Sequence, residues 1–262
     1  MSQTRTIKAI VLSAVLRMKR ITSQFQANAL FLVVAATLAG ISSCSSNRSS
    51  APPPPIEVVA SPHVKTYATN FPLTEDPISE RGRWVDGRAV GLDWGHVSTA
   101  HGRAVGYAGK APFADPVALL AGEWSPNQMV EVVVDKRRTY TAPEVSMRLR
   151  SSLSAHRCTG YEISSSLRGG DDAYLIIVRW NGPLADFTYL LNVSGRKFGA
   201  TTGDVLRATI VGNVITAYKN GVQMGRVTDD TFASGQPGFG FNESKNGDYG
   251  ITRFSASAAG TN

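Results

Sequence analysis

Gly203-Asp204-Val205-Leu206-Arg207-Ala208-Thr209-Ile210-Val211-Gly212-Asn213-Val214-Ile215-Thr216-Ala217-Tyr218-Lys219-Asn220-Gly221-Val222-Gln223-Met224-Gly225-Arg226-Val227 decides the fold class. Gly212-Asn213 and Asn220-Gly221 are two-residue turns between runs rich in β-branched residues. Such turns need positive φ, which Gly and Asn supply at little cost, and their twist suits antiparallel partners. The spacing predicts a three-stranded meander with Ile210 facing Ile215, Ala208 facing Ala217 and Met224 beside Ala217. Those residues, with Leu206 and Val222, share one face; Arg207, Thr209, Thr216, Tyr218 and Gln223 share the other. One dry face and one wetter face is the pattern of a sheet in a sandwich.

The same signal recurs on both sides. Pro126-Asn127-Gln128 opens a continuous apolar-rich strand over 129–135, and Glu144–Arg150 alternates, with Val145, Met147 and Leu149 opposite Ser146, Arg148 and Arg150. Gly160-Tyr161-Glu162-Ile163 follows, then the turn signal Gly169-Gly170-Asp171-Asp172, Tyr174–Trp180 and Phe187–Leu191. Gly238-Phe239-Gly240-Phe241 and a strand near 249–257 close the chain. Helical periodicity is missing and no repeat is evident, so some ten short strands read as an all-β sandwich or barrel.

The 262 residues suit one large β domain plus tails, and 42% hydrophobic residues can build a core without disulfide staples. The formal charge of +7 invites a nucleic-acid reading, but its distribution excludes one. Residues 1–44 hold Arg5, Lys8, Arg17, Lys19 and Arg20 and no acid, which leaves 22 basic against 20 acidic residues in the remainder. No basic stripe is left for phosphates to follow.

Met18-Lys19-Arg20 precedes an apolar run over 29–41, too short to span a bilayer comfortably and laid out like a signal peptide. The run ends in Ile41-Ser42-Ser43-Cys44, which resembles the lipobox of bacterial lipoproteins, with Cys44 as the acylated residue. That resemblance implies cleavage before Cys44, a membrane partner through a lipid anchor and a place in the cell envelope; Ser45 after the cysteine implies sorting to the outer membrane. Met18 makes the more ordinary start. The expected organisation is therefore a signal peptide over 1–44, a Ser/Pro-rich tether over 45–70 containing Pro52-Pro53-Pro54-Pro55, and a β-sandwich domain over 71–262. With Cys44 lipidated, Cys158 stays unpaired and reads as a small buried hydrophobe.

Met147-Arg148-Leu149-Arg150, Gly160-Tyr161-Glu162, Gly203-Asp204-Val205-Leu206, Gly212-Asn213, Tyr218-Lys219-Asn220-Gly221, Thr228-Asp229 and Gly235-Gln236-Pro237-Gly238 together resemble the concanavalin A-like lectin/glucanase superfamily, in the style of laminin-G-like domains. The resemblance covers about 75–258. It implies a jelly roll of two stacked antiparallel sheets, one concave, whose members bind glycans, cut them or adhere. Such a fold does not name a reaction.

Catalytic patterns are missing. Glucanases of this fold carry Glu-x-Asp-x-x-Glu on one strand, because retaining hydrolysis needs an acid and a nucleophile about 5 Å apart; that spacing does not occur. Nor does the Gln-x-His strand of alginate-lyase-like members, a nucleophile elbow or a phosphate loop. The four histidines are scattered, so no catalytic metal is expected. Asp171-Asp172 and Asp229-Asp230 offer oxygen ligands for a structural calcium ion, although turn formation explains them equally well.

A ligand surface remains. Arg148 and Arg150 are expected on one face, with Glu162 beside them and Arg179 and Trp180 on the next strand. Arginine forks read carboxylates or hydroxyls, and an aromatic ring stacks on a sugar's apolar face. The competing reading is an Arg148–Glu162 ion pair on a solvated sheet, with Trp180 in the core beside Ile176 and Val178. The expected function is a lipoprotein presenting a jelly roll that binds a polysaccharide or adheres. A carbohydrate-active enzyme and a structural envelope protein are the alternatives.

Overall fold

The computed structural model describes residues 64–137, 143–242 and 247–259. In chain order the strands are β1 (Val64–Thr69), β2 (Trp84–Asp86), β3 (His96–Ala100), β4 (Arg103–Tyr107), β5 (Val117–Leu120), β6 (Asn127–Lys136), β7 (Glu144–Ser154) and β8 (Arg157–Ser166). They continue with β9 (Tyr174–Gly182), β10 (Phe187–Ser194), β11 (Val205–Val211), β12 (Val214–Lys219), β13 (Val222–Thr228), β14 (Gln236–Asn242) and β15 (Tyr249–Ala259). There is no α-helix among the described residues.

Two antiparallel sheets result. Sheet A runs β13-β12-β11-β6-β15-β4-β3, with β1 also paired to β15; sheet B runs β10-β9-β8-β7-β14-β5-β2. The core between them follows from period-2 alternation. Val130, Val132 and Val134 of β6 and Phe254, Ala256 and Ala258 of β15 face Met147 and Leu149 of β7, Ile163 of β8, Ile177 of β9 and Phe239 and Phe241 of β14. Trp84 packs edge-on against Phe239 and Phe254, with ring centroids 5.0 and 4.8 Å away. Fold class is as expected: an all-β, two-sheet antiparallel jelly-roll sandwich.

The meander keeps its expected first register, Ile210 on Ile215 and Ala208 on Ala217. Its third strand differs. A bulge beside Ala217 places Gly225 opposite that residue instead of Met224. A Cβ at Gly225 would lie 2.5 Å from Leu191 Cδ2, so a larger residue there would have to displace that leucine side chain. Val222, expected on the dry face, is exposed. The sandwich also takes in residues 64–69, expected in the tether: β1 pairs with β15 from Val64↔Ala259 to Thr69↔Phe254. Strand pairing through the backbone leaves little trace in side-chain pattern, and only Tyr67 of β1 packs on the core.

The signal peptide, Cys44 and the Ser/Pro-rich segment lie outside the described residues. No helix among the described residues is long and apolar enough to cross a membrane.

Candidate functional site

Sheet B has two covered faces. The inner face meets sheet A. On the outer face a second apolar cluster gathers Val117 and Leu119 of β5, Cys158 of β8 and Val178 and Trp180 of β9 under Leu92, Trp94 and Ala114. Segment 108–116 is fastened there by Ala114, whose carbonyl accepts from Gly95 N at 3.0 Å and Gly109 N at 2.7 Å. Cys158 is buried and free, and burial pushes its thiol up to about 11, so it behaves as a small hydrophobe.

Next to this cluster the outer face is hollow. β14 places Gly238 and Gly240 there while Phe239 and Phe241 point inward, and Ser146 and Ser164 continue the row of small residues on β7 and β8. Glycine is required at 238, where a Cβ would sit 2.2 Å from the carbonyl oxygen of Ala118. Larger groups rise from this floor: Glu144 and Arg148 of β7 and Glu162 of β8. A cavity of about 190 Å³ opens beside them, smaller than the ~300–1,000 Å³ usual for a drug-sized ligand and suited to a single ring.

One wall of the cavity is aromatic. Trp94 and Trp180 lie 4.5 Å apart, Trp180 and Phe187 5.0 Å apart, and Phe187 meets both Phe113 and Tyr189 at 5.4 Å. The row passes from buried tryptophans to half-exposed Phe113 and Tyr189 at the mouth. Phe113 has φ of 64°, a region that bulky residues rarely occupy and that costs about 1–3 kcal/mol. The fastened turn holds the ring there.

The other wall is polar. Glu162 accepts hydrogen bonds from Trp180 Nε1 and from Ser164 Oγ, the latter at 2.8 Å, and pairs with Arg148, whose Nη2 is 2.9 Å from Oε2. Glu144 accepts from the Tyr174 hydroxyl and from Asn242 Nδ2 at 3.0 Å. No cation pairs with Glu144 among the described residues, and burial pushes its carboxyl up to about 7, with Glu162 adding to the shift.

The five residues singled out for ligand contact therefore separate. Glu162 and Trp180 line the cavity; Trp180 does so while nearly buried, so it is core and wall at once. Arg148 lies beneath Glu162, fully buried, with Nε and Nη1 lacking hydrogen-bond partners among the described residues.

Arg150 is not on the same face as Arg148. A bulge between Leu149 and Ser152, with Arg150 at φ 44°, turns it to the end of the sandwich. There its guanidinium donates to the carbonyls of Pro126 (2.8 Å), Phe232 (3.0 Å) and Gly212 (2.6 Å). Arg179 pairs opposite Tyr161, facing away from Trp180, and donates to Asp229 Oδ2 at 2.6 Å and to Thr231 at 2.7 Å. Of the acidic pairs offered for calcium, Asp229 serves this contact and Asp171 bonds Arg196 at 3.0 Å. Among the described residues no three His, Cys, Asp or Glu side chains gather to hold a metal.

Glu144, Phe113, Phe187 and Tyr189 line the cavity without having been expected there from sequence. Phe187 and Tyr189 carried a usable signal, since their i, i+2 spacing puts both rings on the face of Trp180. Phe113 carried none, because it arrives from a distant loop.

No protein-family model matches the chain, and no curated protein matches it in sequence. Among solved structures, the CBM2 module of the evolved Dit of Lactobacillus casei BL23 phage J-1 matches with a TM-score of 0.51 at 9% identity, over 77% of this chain and 98% of that one. The carbohydrate-binding module CBM66 from Bacillus subtilis gives 0.49 at 12% identity, over 71% and 97%. A β-glucanase from Bacillus licheniformis gives 0.47 at 11% identity, over 75% and 98%. At such identities the likeness is one of fold, a concanavalin A-like jelly roll.

Proposed function

We propose that the chain is an exported, lipid-anchored envelope protein whose jelly roll binds a glycan in the cavity on the outer face of sheet B. The carrying observation is the cavity itself: a ring-sized space with half-exposed Phe113 and Tyr189 at one side and hydrogen-bonded Glu144 and Glu162 at the other. A pyranose ring has an apolar face for stacking and hydroxyls for carboxylate acceptors, so it suits both walls.

A glycan array probed with the purified protein tests it, alongside Phe113→Ala and Tyr189→Ala. Both rings are half-exposed, so their loss should spare the fold and weaken binding at least ten-fold. Binding unchanged in both variants would move the site elsewhere. The anchor rests on the leader and Ile41-Ser42-Ser43-Cys44 alone. Fatty-acid labelling that persists in Cys44→Ala would remove that part and leave the glycan reading intact.

A second reading, a carbohydrate-active enzyme at the same cavity, is favoured by one observation. Glu144 is buried in the cavity wall with a carboxyl pushed up to about 7, a range useful for a proton donor. Release of new reducing ends from a bound polysaccharide, lost in Glu144→Gln, would select it.

A further inference from the structure

The arginines singled out from sequence would suit a carboxylated sugar. The described lining of the cavity offers acids instead. Glu144 and Glu162 line it, and none of its described lining residues is Lys, Arg or His. Arg148, the nearest arginine in the row, is buried beneath Glu162 and already engaged by it. With 1% of its side chain exposed it is out of reach of a ligand carboxylate, and an anion entering the cavity would meet Glu144 and Glu162 instead.

Glu144 adds a specific demand. Its hydrogen-bond partners, Tyr174 and Asn242, are neutral donors, so they orient the carboxyl without balancing its charge. A buried carboxylate without a counter-charge is costly, and here the cost appears as a carboxyl held protonated up to about 7. A ligand cation small enough for the cavity would remove that cost. The aromatic wall favours one as well, because ring faces attract ammonium groups.

We propose that this cavity selects an amino sugar, a saccharide with a free ammonium group seated against Glu144, over neutral and anionic saccharides. The proposal rests on the glycan-binding reading above and specifies its substrate class. Stacking of the sugar ring uses Phe113 and Tyr189, while Glu144 reads the ammonium and Glu162, held by Arg148, accepts from hydroxyls.

Calorimetric titration of the purified protein at pH 7 tests this with oligosaccharides of glucosamine, of N-acetylglucosamine and of galacturonate. Glucosamine oligomers should bind at least ten-fold more tightly than their acetylated counterparts, and the difference should shrink on raising salt. In Glu144→Gln, which keeps an acceptor for Tyr174, the glucosamine oligomers should lose at least ten-fold in affinity and the difference between the two series should vanish. Equal affinity for free and acetylated amines, or a preference for galacturonate, overturns the amino-sugar assignment and leaves the glycan reading standing. A preference that survives in Glu144→Gln overturns the role given to Glu144. Tetramethylammonium binding as tightly as the oligosaccharide overturns the saccharide part. Absence of binding to every saccharide overturns this proposal and the glycan reading together.

Discussion

Arg148 Nη2 lies 2.9 Å from Glu162 Oε2 in the middle of sheet B, with 1% and 7% of the two side chains exposed. The pair spans neighbouring strands, as cross-strand spacing expects, but it is buried, with Trp180 donating to Glu162 and its ring lying beside the Arg148 guanidinium. A solvated pair would contribute at most about 1 kcal/mol, whereas breaking a buried pair costs about 3–5 kcal/mol because one charge is stranded. Arg148→Met should therefore lower unfolding stability by about that larger amount. The double variant Arg148→Met/Glu162→Gln strands no charge and should recover about half of the loss or more. Urea unfolding of both checks this. A single variant within about 1 kcal/mol of wild type would return the pair to the solvated class.

Two buried acids make stability depend on pH in an unusual direction. Burial raises Asp86 from 3.8 to about 6 and Glu144 from 4.5 to about 7. Between those values the folded protein holds protons that the unfolded chain has released, so these groups make stability fall as pH rises from about 4 to about 7. Glu144 contributes up to roughly 3 kcal/mol to that fall. Glu144→Gln should thus match wild type at pH 4 and exceed it above pH 7. Parallel unfolding curves at all pH values would show that Glu144 does not retain its proton on folding.

The parts of this molecule that sequence reveals are those governed by local rules. Gly212, Asn220 and Gly221 take φ of 57°, 50° and 80°, as their two turns require, and the first hairpin register follows directly from its turn. Inward residues of β7, from Val145 to Leu149, follow from alternation. Bulges defeat the same logic: one inserted residue turns Arg150 away from Arg148, and another exchanges Met224 for Gly225. The candidate site is the least legible part. Glu144, Glu162 and Trp180 come from three strands and Phe113 from a loop, and nothing in their spacing announces that the topology gathers them.

Arg150 is a fastener of one end of the sandwich. Its guanidinium bonds three carbonyls, at Pro126, Gly212 and Phe232, while its backbone N–H donates to Gln128 Oε1 at 2.8 Å. Lysine keeps the charge but cannot reach three divergent acceptors from one ammonium. Arg150→Lys should cost about 2–4 kcal/mol through carbonyls left without donors. Glycan affinity of the surviving folded protein should be unchanged, because the side chain points away from the cavity. A loss of affinity without a loss of stability would restore Arg150 to the ligand surface.

Gly221 and Gly238 are both needed, for different reasons, and substitution separates them. Gly221 has φ of 80° with nothing within 4 Å of an added Cβ, so only the backbone resists a side chain. Gly221→Ala should cost about 1 kcal/mol and Gly221→Val about 1–3 kcal/mol, the range of left-handed strain. Gly238 carries no such φ; a Cβ there would instead meet the Ala118 carbonyl at 2.2 Å and Leu119 Cδ2 at 2.7 Å. Relief requires β5 to move away from β14, which breaks the pairing of Gly238 with Leu119 and disturbs the floor beneath Arg148. Gly238→Ala should therefore destabilise more than Gly221→Ala and also weaken glycan binding, while Gly221→Ala leaves binding intact. Thermal unfolding and one titration on each variant decide between them. Equal melting temperatures would mean that β5 yields without cost.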